Sequence, residues 1–135
     1  MAMVEIMVSP ELTDDELNLL FHAAWPGHGD RLWRPLLERS LFWVGALETS
    51  AAPEHGLVGF VNVVGDGGRH AFLLDTTVHP DRQRGGLGRR LVGTATAEAR
   101  ARGAEWLHVD YEPHLAGFYE GCGFRPTRAG LLRLT

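Results

Sequence analysis

Apolar and polar residues follow each other along this chain in two patterns, one typical of strands and one typical of helices. Apolar runs of strand length cover 4–8, 42–47, 56–64, 71–78 and 106–109. Between several of these runs, apolar residues recur three or four positions apart, which is the spacing of one helix face. The combination predicts an α/β (α+β) protein with a mixed sheet of six to seven strands and about four helices on its two faces.

The helix boundaries are marked by local signals. Thr13 and Glu16 have the spacing of a capping box, which predicts a helix continuing to about Ala24. The apolar residues of 87–99 recur at four-residue spacing before Gly103, a residue type that favours a helix end. Shorter helices are predicted over 35–40 and 113–122, a polar loop over 49–55, a hairpin turn over 65–68, and a final strand or strand pair over 124–135.

The composition favours one globular domain spanning residues 1–135, with 44% hydrophobic residues and a formal charge of −4. This charge gives no reason to expect a nucleic acid or an anionic membrane as a partner. No segment has the length of a membrane span or the pattern of a signal peptide, and Cys122 is the single cysteine. The expected location is therefore cytoplasmic.

A glycine-rich stretch lies where the fourth apolar run ends and the long helix begins. It reads Gln83-Arg84-Gly85-Gly86-Leu87-Gly88 and directly follows Val78-His79-Pro80. Unpaired N–H groups at a helix start, together with glycines that allow close approach, form a favourable site for a phosphate. The stretch is not a dinucleotide fingerprint, because Leu91 occupies the third glycine position. It is not a P-loop either, because the chain contains no lysine.

The segment Gln83-x-x-Gly86-x-Gly88 resembles the pyrophosphate loop of the GNAT superfamily, the acetyl-CoA-dependent N-acetyltransferases. A second segment, Ala116 to Phe124, resembles that family's short helix with an aromatic-Tyr pair followed by Gly-Phe. The resemblance covers 71–124, about the C-terminal half of the chain. It implies a GNAT-type fold and acetyl-CoA as cosubstrate, bound where two parallel strands separate.

The resemblance also implies which residues contact the cofactor. Backbone groups of the strand before the loop would bind the pantetheine arm, N–H groups of 84–89 would bind the diphosphate, and a tyrosine would lie near the sulfur. In this chain the corresponding residues are Thr76, Thr77, Val78, Gln83, Arg84, Gly85, Gly86, Leu87, Gly88, Arg89 and Tyr119.

Acetyl transfer to an amine needs a proton donor for the departing thiolate and a donor for the carbonyl oxygen. Tyr119 suits the first role, because a phenol stays protonated at neutral pH. Its alternative role is packing, as a helix aromatic on the sheet. The backbone N–H of Val78 suits the second role if the pairing of its strand is interrupted.

The general base is less defined by the sequence. Asp75 lies three residues before Val78 and is the first candidate. His108, Asp110 and Glu112 in or after the next strand are alternatives, each equally explained as a structural polar group. Some members of the family use water and no dedicated base. Cys122 has no evident base beside it, which argues against a covalent acetyl-cysteine route.

The acceptor is expected to enter opposite the cofactor. Trp25, His28 and Trp33 could form one wall, with Asp30 or Glu112 supplying charge for an amine. A surface loop with core tryptophans explains the same residues. Many relatives have asparagine and alanine where this chain has Glu112 and Leu115, and a carboxylate cannot donate to the cofactor as an amide does.

The sequence thus predicts an enzyme that moves acetyl from acetyl-CoA to a primary amine of a small molecule or protein, by direct attack in a ternary complex. The alternative is an acyl-CoA-binding or sensing module of the same fold without turnover, and a longer acyl donor is also open. Histidine and cysteine spacing predicts no metal site. A short sheet with an open edge allows a homodimer, which the sequence does not itself show.

Overall fold

The computed structural model describes residues 3–49 and 56–135. In them, five strands and four helices follow the order β1 (Val4–Val8), α1 (Asp14–Ala24), α2 (Arg34–Arg39), β2 (Phe42–Glu48), β3 (Leu57–Gly65), β4 (His70–Val78), α3 (Leu87–Ala101), β5 (Trp106–His108) and α4 (Ala116–Gly121). Short 3₁₀ turns at Pro80–Arg82 and Pro113–Leu115 precede α3 and α4. The predicted helices and first five strands are confirmed within a few residues. The loop predicted over 49–55 lies, beyond Thr49, outside the described residues.

The five strands form one mixed sheet in the order β1-β2-β3-β4-β5. Strands β1 to β4 pair antiparallel, whereas β4 and β5 are parallel because α3 connects them. The β4–β5 ladder has three residue pairs and ends at Phe72 and His108. The later part of β4 therefore has no ladder partner on the β5 side, and a cleft opens there.

Helices pack on both faces of the sheet, as predicted. One core lies under α3 and α4 and includes Val61, Val63, Leu91, Val92 and Tyr119. The other lies under α1 and α2 and includes Leu17, Phe21, Trp33, Leu37 and Phe60. Successive residues of β3 point to opposite faces, so Phe60 and Val61 belong to different cores.

Hydrogen bonds in the first turn of α1 fix the residue at which this helix begins. The Thr13 hydroxyl accepts from the Glu16 N–H at 3.1 Å, and the Glu16 carboxylate accepts from the Thr13 N–H at 3.0 Å. The capping box is therefore confirmed. The side chain of Asp14 accepts from the N–H of Trp33 at 2.7 Å, which ties the start of α1 to the approach of α2.

Residues 125–135 do not form the predicted final strand or strand pair. They are exposed and belong to no sheet ladder in the described structure, so the sheet has five strands where six to seven were expected. Pro126 has no N–H to donate to a ladder, which disfavours a strand at that position. Among residues 3–49 and 56–135, no helix is long and apolar enough to cross a membrane.

Candidate active site

The glycine loop forms the start of α3. Gly86 is the N-cap residue and has φ 82°, a left-handed conformation that glycine adopts without strain. The first hydrogen bond within the helix runs from the N–H of Arg90 to the carbonyl of Gly86 at 3.1 Å. The N–H groups of 87–89 therefore have no acceptor within the helix and carry the positive end of its dipole.

The loop surface is open on its outer side. A Cβ added to Gly86 would meet no heavy atom within 4 Å, and one added to Gly85 would meet only the Arg82 carbonyl oxygen, at 3.8 Å. Arg84 has φ 69°, so a second residue of the turn is left-handed. Turns that contain left-handed residues are a common form of the backbone nests that bind anions. These residues fit a diphosphate.

Gly88 and Arg89 join the loop to α4. A Cβ at Gly88 would lie 3.3 Å from the Phe118 ring, so the glycine allows α3 and α4 to approach closely. The guanidinium of Arg89 donates to the carbonyl of Gly121 at 3.0 Å. The Arg89 side chain is thus engaged at the end of α4, while its main-chain N–H stays in the loop.

A bulge in β4 faces the cleft. Phe60 of β3 pairs with Thr77 and Asn62 with Leu74, so one more residue of β4 than of β3 lies between the two pairs. Asp75 takes up the extra length with φ 58°. The left-handed conformation costs an aspartate some free energy, and the β3–β4 ladder on both sides of the bulge holds Asp75 in it.

Beyond the bulge, the N–H groups of β4 alternate in direction. The N–H of His79 donates to the Val58 carbonyl at 2.8 Å, toward β3. The N–H of Val78 therefore points away from β3, toward the cleft. The side chain of Gln83 donates to the Val78 carbonyl at 3.2 Å and so closes the loop onto the strand end.

Tyr119 of α4 is 6% exposed. Its ring stacks on Tyr111 at 5.0 Å between centroids and meets Phe118 and Phe124 edge-on. Burial raises the pKa of its phenol, and a side-chain hydrogen bond with Thr76 opposes that rise. The phenol is therefore a protonated group at neutral pH, held beside the β4 bulge.

A cavity of about 1,320 Å³ joins these elements. Residues from the bulge, from the segment after β5 and from α4 line it, among them Asp75, Thr76, Asp110, Tyr111, Glu112 and Tyr119. Trp25, from the loop after α1, also contributes to its wall. The structure therefore brings together the predicted proton donor, the first candidate base and two of the predicted acceptor-binding residues.

Asp75 faces the open cleft, yet protein atoms crowd its carboxyl group. This desolvation raises the pKa of Asp75, and the Arg31 guanidinium and, to a smaller extent, the His28 imidazole act in the opposite direction. A carboxyl group with a raised pKa holds its proton more tightly, which makes its carboxylate a stronger base. The local electrostatics thus suit a general base.

The loop after α1 is tied to β4 by one side-chain contact. The indole N–H of Trp25 donates to the Thr77 hydroxyl at 3.0 Å, and that hydroxyl donates to the Asp75 carbonyl at 3.1 Å. Trp25 remains half exposed, with its ring on the cavity. These two hydrogen bonds therefore hold the loop after α1 in a fixed position relative to the bulge of β4.

The other residues predicted to line the acceptor site, His28, Asp30 and Trp33, are not among those that line the cavity. Trp33 is 1% exposed and donates its indole N–H to Asn18, so the expectation that it lines the acceptor site is wrong. His28 packs near the rings of Phe21 and Trp33, and its Nε2 is buried without a partner in the described structure. Burial is the main cause that lowers the pKa of His28, which keeps the imidazole neutral. Asp30 accepts from His22 at 2.6 Å and is exposed.

The remaining base candidates differ in their surroundings. His108 lies 2.7 Å from a ring nitrogen of His70 and stacks on Phe72 with centroids 4.5 Å apart, so it has structural partners. Asp110 and Glu112, in the segment after β5, also line the cavity. Cys122 also lines the cavity, at the end of α4. No group of three or more potential ligands among residues 3–49 and 56–135 could hold a metal ion.

Sequence reasoning missed three features of this site. Thr76 contacts Tyr119, Tyr111 stacks on it, and Trp25 binds Thr77. Two of these contacts, Thr76 with Tyr119 and Trp25 with Thr77, join residues more than 40 positions apart. Tyr111 and Tyr119 are eight positions apart, before and within α4, but no spacing rule predicts that their rings stack.

Comparison with known proteins assigns the fold. Residues 10–124 match the model of the acetyltransferase (GNAT) family. An acetyltransferase of that family from Streptococcus pneumoniae superposes with a TM-score of 0.80 at 24% identity, covering 98% of both chains. An aminoglycoside N-acetyltransferase solved in complex with CoA gives a TM-score of 0.75 at 17% identity, covering 99% of this chain and 95% of that one. The GNAT-type fold is thereby confirmed.

A sequence relative has a named activity. Serotonin N-acetyltransferase 2 of rice (Oryza sativa subsp. japonica), described as chloroplastic, is 35% identical over 96 residues. The match covers 70% of this chain and 46% of that protein. The chain thus spans about half the length of this curated relative.

Proposed function

The chain belongs to the GNAT acetyltransferase family, and we propose that it transfers an acetyl group from acetyl-CoA to a primary amine. The observation that carries this proposal is the convergence of Asp75, Thr76 and Tyr119 on one cavity beside the end of β4. A family member that had kept only the binding function would not need a proton donor and a carboxylate there.

The glycine loop and the end of β4 are the proposed binding site for acetyl-CoA. The free N–H groups of 87–89, the left-handed residues Arg84 and Gly86, and the open surface at Gly85 support a diphosphate contact. The unpaired edge of β4 beyond Phe72 supports pairing of Thr76 to Val78 with the amides of the pantetheine arm.

Acetyl-CoA supplies an activated acetyl thioester for the reaction. We propose that Asp75 accepts a proton from the ammonium form of the acceptor, directly or through water, so that the neutral amine attacks the carbonyl carbon. The N–H of Val78 donates to the carbonyl oxygen as negative charge develops on it. Tyr119 gives its proton to the sulfur as the C–S bond breaks. The nitrogen of the tetrahedral intermediate loses its second proton to water, and solvent then reprotonates the phenol and takes up the proton held by Asp75.

The acceptor is proposed to enter between the loop after α1 and the segment after β5. Trp25 provides an apolar face and Glu112 a negative charge, which together suit an amine on an apolar carbon skeleton. His28 supports the loop from behind. The rice relative's name makes an arylalkylamine such as serotonin the first acceptor to test.

The experiment is a thiol-release assay with acetyl-CoA and a panel of amines. The panel contains serotonin, a polyamine, an aminoglycoside and a lysine peptide, and CoA binding is measured in parallel by calorimetry. We expect thiol release that depends on at least one amine. Binding of CoA without release for every amine would instead support an acyl-CoA sensor, and failure to bind CoA would refute the proposed site.

A further inference from the structure

One face of the β4–β5 pair is apolar and left open by the helices. Phe72 and Leu74 alternate along β4 with Ala71 and Leu73, which lie in the core under α3 and α4, so they point to the opposite face of the sheet. They are 39% and 37% exposed. Neither residue belongs to the core under α1 and α2, whose described sheet residues come from β2 and β3.

β5 continues the same open face. Its Trp106 is 56% exposed, and the His108 ring stacks on Phe72 with 4.5 Å between centroids and 16° between planes. A ring nitrogen of His70 lies 2.7 Å from one of His108, and this hydrogen bond holds the imidazole against Phe72. Together, Leu74, Phe72, His108 and Trp106 form an exposed surface that we call the aromatic patch.

The aromatic patch continues into the proposed catalytic cavity. Phe72, His108 and Trp106 line the same cavity as Asp75 and Asp110. Asp110 follows His108 by two residues and is exposed like it. The wall of the cavity is therefore acidic near the bulge of β4 and apolar toward the start of β5.

Strand geometry sets the length of a molecule that contacts both ends of this wall. Asp75 lies three residues after Phe72, and Asp110 lies four residues after Trp106. At the ordinary rise of a strand, these separations are about 10 and 13 Å. The two-carbon chain of an arylethylamine is too short to place its ammonium group at the carboxylates and its ring on the aromatic patch.

We propose that the preferred acceptor is an elongated amine, whose ammonium group lies at Asp75 and whose aromatic or apolar end lies on the aromatic patch. The inference rests on the proposed function and adds a class of acceptor to it. Its support is the match of positive charge to the acidic end and of apolar surface to the other end. A long-chain arylalkylamine has this form, and so does a peptide N-terminus with an aromatic side chain at its fourth position.

The first test compares ω-phenylalkylamines with ω-hydroxyalkylamines of the same chain length in the thiol-release assay. We expect the ratio of their kcat/KM values to rise with chain length and to be roughly tenfold larger at six to ten methylene groups than at two, because only the longer chains bring the ring to the patch. Two tetrapeptide amides, with phenylalanine or serine at the fourth position, test the peptide form. If neither series shows an advantage of the distant ring, the inference is overturned, whereas turnover of short amines would still support the proposed function.

The second test locates the effect on the aromatic patch. Phe72→Ala and Trp106→Ala should each remove most of the rise with chain length, with an unchanged circular dichroism spectrum because both side chains are partly exposed. Calorimetry with 8-phenyloctylamine should show weaker binding to both variants, and it measures this without turnover. The matched control is Leu19→Ala, which alters a 39% exposed leucine of α1 outside this cavity and should behave as wild type. Retention of the full rise in both patch variants would contradict the inference.

The third test addresses a second copy of the chain as the occupant of the aromatic patch. Light scattering should give the same molar mass for wild type and Trp106→Ala, because an acceptor-binding surface is free of other chains. A dimeric wild type that becomes monomeric in Trp106→Ala would identify the patch as an interface between copies and overturn the inference.

Discussion

The indole N–H of Trp25 donates to the hydroxyl of Thr77 at 3.0 Å, across 52 residues of chain. Thr77 follows the bulge of β4, and its hydroxyl donates in turn to the Asp75 carbonyl. The loop proposed to bind the acceptor is thus coupled to the strand proposed to bind the cofactor. This coupling explains how a loop rich in glycine and proline is positioned relative to the reacting groups.

Loss of this contact should impair acceptor binding more than cofactor binding. Thr77→Val keeps the side-chain shape but removes the acceptor of the indole N–H. We expect the free energy of unfolding to fall by about 0.5–1.5 kcal/mol and KM for the amine to rise more than KM for acetyl-CoA. Urea denaturation and steady-state kinetics measure both. Thr77→Ser is the control that keeps the hydroxyl, and a Trp25→Phe, Thr77→Val double variant should lose little more than either single variant. Additive losses would show that the contact carries no coupling.

Two glycines of the α3 region should respond in opposite ways to alanine. Gly86→Ala forces a Cβ into the left-handed region and should destabilise the protein by roughly 1 kcal/mol and weaken CoA binding. Gly93→Ala, within α3 where a Cβ meets nothing within 4 Å, should stabilise by roughly 0.5–1 kcal/mol. Thermal unfolding with and without CoA measures both effects. Equal CoA affinity in wild type and Gly86→Ala would remove the loop from the binding site.

Asp75 should impose a pH dependence on both stability and rate. Its pKa is raised above the ordinary 3.8 in the folded protein, so the folded state keeps this proton to higher pH than the unfolded chain does. Stability contributed by the protonated form is therefore lost as pH rises from 3.8 through the raised pKa. Asp75→Asn should accordingly gain stability relative to wild type across that window.

The same ionisation should appear in the kinetics. The rate constant kcat/KM should rise with pH as the Asp75 carboxylate forms, and Asp75→Asn should lose that acidic limb. Asp110→Asn is the matched control, because it removes another carboxylate that lines the cavity, and this variant should keep the acidic limb. If the acidic limb persists in Asp75→Asn and disappears in Asp110→Asn, Asp110 is the base and the assignment to Asp75 is wrong.

Removing the phenol of Tyr119 should slow chemistry with little effect on binding. Tyr119→Phe keeps the ring packing, so we expect kcat to fall on the order of 10²-fold or more while CoA affinity is maintained. Tyr111→Phe removes the phenol of the ring stacked on Tyr119 and should keep kcat near the wild-type value. Stopped-flow thiol detection distinguishes the two. A Tyr119→Phe enzyme with full kcat would exclude the phenol as proton donor.

Local sequence signals predicted much of this fold because they act over few residues. The capping box at Thr13 and the glycine turn before α3 depend on neighbours within one helical turn, and both are present. The left-handed Asp75 was not predictable, because the β3–β4 register imposes it and no local pattern of residues marks the bulge.

The features that the sequence did not predict depend on contacts between residues that are distant in the chain. The sequence left Trp33 open as either an acceptor-wall residue or a core residue, and Asn18 accepts its indole N–H within the core under α1 and α2. Apolar residues in 124–135 predicted a strand, yet a strand needs a ladder partner, and this segment has none in its own described chain. Sequence alone does not show whether an apolar segment finds such a partner in the folded chain.

The most direct test of the account is a crystal structure of the protein with CoA bound. We predict that the diphosphate contacts the main-chain N–H groups of 84–89 and that the thiol sulfur lies within about 4 Å of the Tyr119 hydroxyl. A diphosphate bound elsewhere, or a thiol separated from Tyr119 by other side chains, would contradict both the binding site and the proton donor.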